Sequence, residues 1–475
     1  MKKNILSLIL IVIVCILIVP KELQNDTFYL IKIGESLCKN GISQIDPFSF
    51  HNLTYLYPHL ILCYLAYFAY SSLSFFGIYL LTIVFTIIVG ITLFIINNKI
   101  TKNNLLSLIF TIITIILLKN FITLRGQIVS YTIFILEYYF LDKLNITNNK
   151  RYLIYLFILV LILVNVHVAV YPFFWIMYLP YVGEYLYNKV LKKDTKINIK
   201  LIGISFILSF TGGMFSYLGI NSYTYLFKTL TNSTTIYISE HQPLILIYNG
   251  VIILMFIIMF YIINNKKVLL KDKLLILGLG IMTLSSNRHK SLLIIFELII
   301  INKYLTKYLT FKYKKVICFF EEKLFNKKNF ALSIVIILFL FSPYIIYNIN
   351  TDYINSSLYP IEAVKYIKNN IDYKNKRIYN FIDFGSYLML NDIKVYIDSR
   401  TDLYTYSYNH YRDIYEEHRQ LVYGNIYYED IFEEYNIDYV LLYKTNIVST
   451  YLKHDKNYTI EYKDDNFILF IRNII

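Results

Sequence analysis

The chain has 475 residues, of which 57% are hydrophobic and 16% are charged, and its formal net charge is +14. Because an ordinary soluble domain has about a quarter of its residues charged, this composition argues against a single soluble enzyme, a disordered chain and a small disulfide scaffold. The four cysteines show no metal-binding spacing. We therefore predict one large membrane domain followed by one smaller water-soluble domain.

Apolar runs follow one another from the N-terminus to residue 348, many of them close to the length that crosses a bilayer. The first run ends at Val19, and the later runs cover 73–97, 104–119, 127–141, 152–166, 169–187, 200–218, 243–263, 273–286, 290–302 and 331–348. A further run, 55–70, is interpreted as a helix that lies on the outer surface or re-enters the membrane. The sequence thus predicts a polytopic α-helical membrane protein with about 11 transmembrane helices in residues 1–348 and a first outer loop over 21–72.

Basic residues set the predicted topology. They are concentrated in short segments between the apolar runs, most strongly in 303–328, whereas residues 350–475 carry a net charge of −5. This pattern is typical of cytoplasmic loops in multi-pass proteins of the cell membrane. It places the N-terminus in the cytoplasm and the C-terminal domain, 349–475, outside, and it argues against nucleic-acid binding because membrane loops account for every basic cluster.

The predicted outer side collects the uncommon ionisable residues. These are Asp26 and Asp46 in the first loop, followed by Arg125, His167, Glu240, His241, Arg288, His289 and Lys290. Ionisable groups at membrane depth are costly, so several at one level indicate a site. Taken singly, each has an ordinary alternative as a solvated loop charge, an arginine that reaches the headgroups, or a hydrogen-bonded packing histidine.

The C-terminal domain is predicted to be small and of mixed α/β class. A helix begins near Tyr359-Pro360; strands are predicted at 376–381, 394–397, 439–442 and 467–472, and a helix at 426–436. Asp398, Arg400 and Asp402 follow a strand end, where α/β domains tend to place ligand groups. They are predicted to bind substrate, and the alternative is an Asp–Arg pair that fixes a loop.

Several motifs resemble those of membrane glycosyltransferases of the GT-C class and of a related group of bacterial membrane proteins. The segments that carry the resemblance are 26–34 and 41–49 in the first loop, Leu124-Arg125-Gly126-Gln127, Val164-Asn165-Val166-His167, Glu240-His241, Asn287-Arg288-His289, Tyr379 to Leu388 and Val395 to Tyr404. The resemblance implies a GT-C-like membrane domain in the cell envelope. It also implies transfer of a sugar from a polyprenyl-phosphate-linked donor to an acceptor on the outer face of the cytoplasmic membrane.

Under this hypothesis Asp26 is the general base on the acceptor hydroxyl, and Asp46 assists it or holds a divalent ion. Arg125, Arg288 and Lys290 hold the lipid phosphate, while His167, Glu240, His241 and His289 contribute to substrate binding. Carboxylate oxygens suit Mg²⁺ or Mn²⁺, yet no spacing demands a metal, and no metal ligand is assigned. The partners are a lipid-linked sugar donor, a glycan, lipid or protein acceptor, and the membrane. A transporter or flippase of an envelope precursor and a non-catalytic envelope protein remain as alternatives.

Overall fold

The computed structural model of the chain describes residues 2–230, 237–238 and 240–473, and it divides into two compact units. The first unit consists of Met1–Pro20, Tyr79–Leu226 and Ile238–Asn350. The second consists of Lys21–Ile78, Phe227–Tyr237 and Thr351–Ile475. The second unit therefore includes both the predicted first loop, 21–72, and the C-terminal region of the chain.

Helices form most of the described structure. The first ten are α1 (Lys2–Ile18), α2 (Asn25–Asn40), α3 (Leu60–Thr101), α4 (Asn104–Leu117), α5 (Gly126–Thr147), α6 (Arg151–Val166), α7 (Tyr171–Ile176), α8 (Leu179–Val190), α9 (Ile199–Gly212) and α10 (Asn221–Leu230). The next five are α11 (Gly250–Asn264), α12 (Leu270–Ser285), α13 (Lys290–Leu324), α14 (Lys327–Leu340) and α15 (Ser342–Asn350). The C-terminal region adds α16 (Ile361–Asn370), α17 (Ile382–Leu390), α18 (Tyr406–Asn409), α19 (Ile414–Val422), α20 (Tyr428–Glu434) and α21 (Ile447–Leu452).

The structure contradicts the prediction of about 11 transmembrane helices. Among the described residues, α3 is the one helix that is both long and apolar enough to cross a membrane, and α14 with α15, bent by 53°, would make a second if the pair were one span. Other apolar helices, such as α4 and α11, have only 14 and 15 residues. At 1.5 Å per residue they fall short of the roughly 30 Å of a bilayer core.

The prediction of a multi-pass protein of the cell membrane, with the N-terminus cytoplasmic and the C-terminal domain extracytoplasmic, is wrong for the same reason. Its topology depended on counting each apolar run as a crossing. The segments 55–70 and 73–97 show a further difference, because most of both belongs to the single helix α3. That helix is broken at Leu73 and Ser74, where the φ angle of Ser74 is 54°.

Apolar side chains hold the first unit together. Helix α4 packs against α1 and α13, α6 packs against α5 and α9, and α8 packs against α12. In its core the rings of Tyr138 on α5 and Phe296 on α13 lie 5.8 Å apart between centroids. Buried ion pairs add to this packing: Lys271 on α12 contacts Asp142 on α5, and Lys303 on α13 contacts Asp272 on α12 at 2.8 Å. These charges are compensated in the interior, as buried charges must be.

The second unit has a four-stranded mixed sheet with the order β1-β2-β4-β3. The strands are β1 (Ile378–Asn380), β2 (Tyr439–Tyr443), β3 (Tyr458–Lys463) and β4 (Phe467–Arg472). Strand β1 is parallel to β2, whereas β4 is antiparallel to both β2 and β3. The strands predicted at 439–442 and 467–472 are present as β2 and β4. The strand predicted at 394–397 is reduced to bridges of Val395 with Ser49 and Ile378.

Helix α2 packs on α17 in the second unit, and aromatic rings fill the contact. Phe28 lies with its ring centroid 5.0 Å from that of Tyr359 and 5.4 Å from that of Tyr387, edge to face in both cases. Gly34 permits an equally close approach on the same helix, because a Cβ atom there would lie 2.1 Å from the carbonyl oxygen of Cys63. The packing fixes the first turns of α2 and α17, which carry Asp26 and Asp383.

Candidate functional site

Six of the predicted substrate-binding residues occupy three neighbouring connections of the first unit. Together they are called the basic cluster here: Arg125, Glu240, His241, Arg288, His289 and Lys290. Arg125 directly precedes α5, the pair Glu240-His241 lies in the connection before α11, and the other three lie where α12 meets α13. The sequence separates these residues by up to 165 positions, and the fold brings the three connections together.

Backbone hydrogen bonds fix two of these connections to each other. The backbone N–H of Arg288 donates to the carbonyl oxygen of Glu240 at 2.9 Å, and that of Asn287 donates to Gln242 at 3.0 Å. The hydroxyl of Ser286 also donates to the Glu240 carbonyl oxygen at 3.0 Å. The 3₁₀ turn that carries Arg288 and His289 is therefore held beside Glu240 and His241.

Side-chain contacts complete the basic cluster. Arg125 Nη1 donates to Glu240 Oε1 at 2.8 Å, and these two side chains keep 27% and 47% of their surface exposed. Arg288 Nη1 lies 3.5 Å from His241 Nε2. Lys290 Nζ donates to Asn249 Oδ1 at 3.2 Å. The cluster is thus ordered, yet part of it remains open to solvent.

The charge of the cluster is positive. Burial would raise the pKa of Glu240, but Arg125 and Arg288 outweigh it and leave that pKa below its usual value. Burial, with Arg288 adding to it, lowers the pKa of His241 to about 4 and that of His289 to about 4. At neutral pH both imidazoles are therefore uncharged. The cluster then carries one carboxylate, two guanidinium groups and one lysine, a net positive charge that suits an anion.

His167 lies directly behind Arg125. It is only 2% exposed, and its Nδ1 atom lies 2.8 Å from the hydroxyl oxygen of Ser130. A Cβ atom on Gly126, the residue after Arg125, would lie 2.7 Å from Cγ of the histidine, so the ring packs on the first turn of α5. His167 is therefore placed to orient the start of α5, and it is itself shielded from solvent.

Tyr131 belongs to the same region and was missed by the sequence analysis. It is 2% exposed, and burial raises the pKa of its hydroxyl, with Arg288, Glu240 and Arg125 acting on it electrostatically. One tyrosine among 49 gives no signal by itself. Only its position, six residues after Arg125, could have indicated that Tyr131 lies near the basic cluster.

Asp46, Asp398 and Arg400 form a separate, closed ion cluster in the second unit. Arg400 donates from Nη1 and Nη2 to Asp46 at 2.6 and 3.2 Å, and from Nε and Nη2 to Asp398 at 2.9 and 2.6 Å. The hydroxyl of Tyr404 donates to Asp398 at 2.7 Å. Asp46, Asp398 and Arg400 are 1%, 0% and 7% exposed. This is the geometry of buried ion pairs that fix loops, which was the alternative interpretation of the Asp–Arg motif.

The electrostatics of this ion cluster agree with its geometry. Burial would raise the pKa of Asp398, but the guanidinium of Arg400 and the hydrogen bonds outweigh it and leave that pKa below its usual value. The same pairing outweighs burial for Arg400 and raises the pKa of its guanidinium. Asp402 lies outside the three-residue cluster and accepts a hydrogen bond from the hydroxyl of Thr229 at 3.3 Å.

Asp26 lies in the first turn of α2, half-buried, where the positive end of the helix dipole favours a carboxylate. Asp383 has the equivalent position in α17, and it was not assigned a role by the sequence analysis. Burial raises the pKa of Tyr359, and both Asp26 and Asp383 add to that increase. Burial also raises the pKa of Asp383.

The described residues contain no group of three or more histidine, cysteine, aspartate or glutamate side chains that could hold a metal ion. When the chain is compared with models of protein families and with curated proteins, it matches none of them. The resemblance to GT-C glycosyltransferases therefore stays a prediction. Any assignment of function has to start from the basic cluster itself.

Proposed function

We propose that the chain transfers a glycosyl group from a phosphate-linked sugar donor to a hydroxyl acceptor, and that the basic cluster holds the donor's phosphate. The observation that carries this proposal is the convergence of Arg125 and Arg288, from two distant parts of the sequence, on Glu240, with Lys290 two residues after Arg288. The resemblance of the surrounding motifs to glycosyltransferases that use polyprenyl-phosphate sugars supports the choice of donor.

Arginine suits this role because its planar guanidinium matches two phosphate oxygens at once. When the bond between the anomeric carbon and the phosphate oxygen breaks, its electron pair stays on the phosphate. Arg125 and Arg288 would offset this growing charge. Glu240 orients Arg125 through their 2.8 Å contact. The neutral imidazoles of His241 and His289 add hydrogen-bonding groups without further charge.

The acceptor hydroxyl supplies the new bond to the anomeric carbon and loses its proton. Asp26 was predicted to take up this proton, and that role stays a prediction. The closed ion cluster offers no substitute, because Asp46 and Asp398 are saturated by Arg400 and are shielded from solvent. A general base has to come within hydrogen-bond reach of the hydroxyl it deprotonates.

The first test is direct binding of a soluble leaving-group analogue, citronellyl phosphate, to the purified full-length protein by calorimetry. We expect binding in wild type and a loss of about 10- to 100-fold in affinity for Arg125→Gln and for Arg288→Gln, since each removes a charge-assisted hydrogen bond. Arg151→Gln is the matched control, because Arg151 is an exposed arginine of the same unit. Equal affinity in all four proteins would refute the phosphate site.

The second test separates transfer from binding. Citronellyl-phosphate-linked glucose, mannose and galactose are each incubated with the protein and a panel of hydroxyl acceptors, and released citronellyl phosphate is measured by mass spectrometry. Release that depends on the acceptor and is lost in Arg288→Gln is the expected result. Tight binding of the phosphate without release from any of these donors would overturn glycosyl transfer and leave a phosphate-binding protein.

A further inference from the structure

A groove in the second unit shares no residue with the ion cluster of Asp46, Asp398 and Arg400. It has a volume of about 1110 Å³, at the upper end of the range for ligand sites. The turn from Gly424 to Tyr428 forms one side of it. The other side is formed by the end of α21 and the segment that leads to β3.

We propose that this groove binds a neutral oligosaccharide. The proposal goes beyond glycosyl transfer and does not depend on it, because it concerns only the chemistry of the groove walls. These walls combine three properties: exposed aromatic rings, uncharged hydrogen-bonding groups, and a balance of charge.

Exposed aromatic rings line both sides of the groove. Tyr427 in the turn is 57% exposed, and Tyr451 in α21 is 47% exposed. Tyr427 packs one side against Tyr428, at 4.9 Å between ring centroids, which orders its ring while leaving it accessible. An accessible ring of this kind offers a flat apolar face to the C–H groups of a sugar ring and a hydroxyl group at its edge.

The polar groups of the groove suit sugar hydroxyls, which both donate and accept hydrogen bonds. Asn425, His454 and Asn457 are exposed side chains that supply donors as well as acceptors. Both carboxylate oxygens of Asp455 accept hydrogen bonds within the protein. Tyr428 donates to Oδ2 at 2.6 Å, and the backbone N–H of Asn457 donates to Oδ1 at 2.9 Å. The first bond holds the segment after α21 against the turn, and the second orders that segment locally.

The turn on the other side is also fixed in advance of binding. Gly424 has a φ angle of 72°, a left-handed conformation that glycine adopts readily. The backbone N–H of Asn425 donates to the carbonyl oxygen of Gln420 at 2.8 Å. The side chain of Asn446 donates to the carbonyl oxygen of Val422 at 3.3 Å. A groove whose walls are ordered beforehand loses less entropy when it binds a ligand.

The charge of the groove decides the class of ligand. All of its lining residues lie in the described part of the chain, and the acid and the base among them, Asp455 and Lys456, balance. A polyanion such as a nucleic acid would require several cations. A peptide anchored by apolar side chains would require an open apolar pocket, whereas the lining residue Val448 is only 1% exposed. A neutral sugar chain requires neither several cations nor an open apolar pocket.

Calorimetric titration of the full-length protein with cellohexaose, maltohexaose and chitohexaose tests this inference without any donor. We expect at least one of these probes to bind, and we expect Tyr427→Ala and Tyr451→Ala each to weaken binding by about fivefold or more through loss of ring stacking. Tyr423→Ala is the matched control, because Tyr423 is 66% exposed and lies outside the groove lining.

Two results would overturn the inference. One is the absence of binding by all three probes at about 10 mM, where even millimolar affinity is detectable. The other is binding that Tyr427→Ala and Tyr451→Ala leave unchanged. Neither result bears on the proposed phosphate site, because binding of citronellyl phosphate is tested with different variants, those of the basic cluster.

Discussion

Arg400 donates to both carboxylate oxygens of Asp46, at 2.6 and 3.2 Å, although 354 positions separate the two residues in the chain. The pair is buried, and Asp398 holds the remaining side of the guanidinium. The loop that carries Asp46 is thereby tied to the segment after Val395, where the backbone N–H of that valine also donates to Phe48 at 3.0 Å.

Asp46→Asn is expected to lower the free energy of unfolding by about 3–5 kcal/mol, because it leaves a buried guanidinium without one of its two counter-charges. Denaturant titration of the purified protein measures this. Glu362→Gln is the control: Glu362 pairs with Lys365 on the surface, where both side chains are more than 60% exposed. Its effect is expected to stay below about 1 kcal/mol.

The same variant separates the two roles considered for Asp46. If Asp46 is a structural ion-pair partner, its replacement makes the protein lose stability and activity together. If Asp46→Asn instead abolished glycosyl transfer while the unfolding curve stayed in place, the predicted catalytic role would be correct. A structural role for the pair would then be excluded.

Gly34→Ala is expected to destabilise the second unit by about 1–3 kcal/mol, because a Cβ atom there would lie 2.1 Å from the carbonyl oxygen of Cys63 and α2 would have to move. The thermal midpoint of unfolding reports the effect. The control is Gly203→Ala inside α9, where an added Cβ meets nothing within 4 Å. That variant is expected to gain up to about 1 kcal/mol from helix propensity. Equal behaviour of the two variants would refute the close contact.

Sequence reasoning found the polar residues of the basic cluster but not the geometry that joins them. Arg125, Glu240 and Arg288 were conspicuous because charged residues are rare among such apolar runs. Helix ends and bends were only partly visible: the division between the runs 55–70 and 73–97 falls beside Leu73 and Ser74, where α3 is broken, but the runs did not show that they belong to one helix. An apolar run also does not show where its helix stops, and eleven crossings were counted where, among the described residues, one helix is both long and apolar enough to cross a membrane.

The pairing of Asp46 with Arg400 lay beyond sequence reasoning for another reason. Local spacing shows which residues share a helix face or a turn, as it did for Asp398 and Arg400. A contact across 354 positions depends on the tertiary fold. Asp46 therefore looked like a free acid in a loop, and Asp383 was missed although its motif had been noticed.

Acid is expected to destabilise the second unit through two histidines, the half-buried His51 and the buried His418. Burial lowers the pKa of His51 to about 4 and that of His418 to about 3. His418 lies 2.8 Å from the hydroxyl oxygen of Tyr379 through Nδ1, and its Nε2 atom accepts from the backbone N–H of Ile382 at 3.4 Å, which requires the neutral ring. Protonation would break the second bond.

The sign follows from the direction of these shifts. The folded pKa of each histidine lies below the unfolded value of about 6.5, so the stability they confer is complete above that pH and is lost as the pH falls. Between pH 7.5 and 5 we expect a loss of about 2 kcal/mol for each histidine. His418→Gln should remove the part of this acid sensitivity that comes from His418. An identical pH slope in wild type and His418→Gln would contradict the assignment.

Glu297 on α13 gives the opposite pH dependence in the first unit. It is 0% exposed, neither of its carboxyl oxygens has a hydrogen-bond partner within the described structure, and burial raises its pKa to about 8. The pKa of Glu297 in the folded protein lies above its unfolded value. Its burial therefore lowers the free energy of unfolding little at low pH and progressively more as the pH rises from about 4.5 to 8. We expect wild type to lose about 2–4 kcal/mol from this residue between pH 5 and 8.

Glu297→Met should be more stable than wild type at pH 8 and should show a flatter profile above pH 5. Glu322→Met, at an exposed site on the same helix, is the control and should leave the stability at pH 8 unchanged. A destabilised Glu297→Met at pH 8 would mean that the carboxylate has a partner that stabilises it in the folded protein.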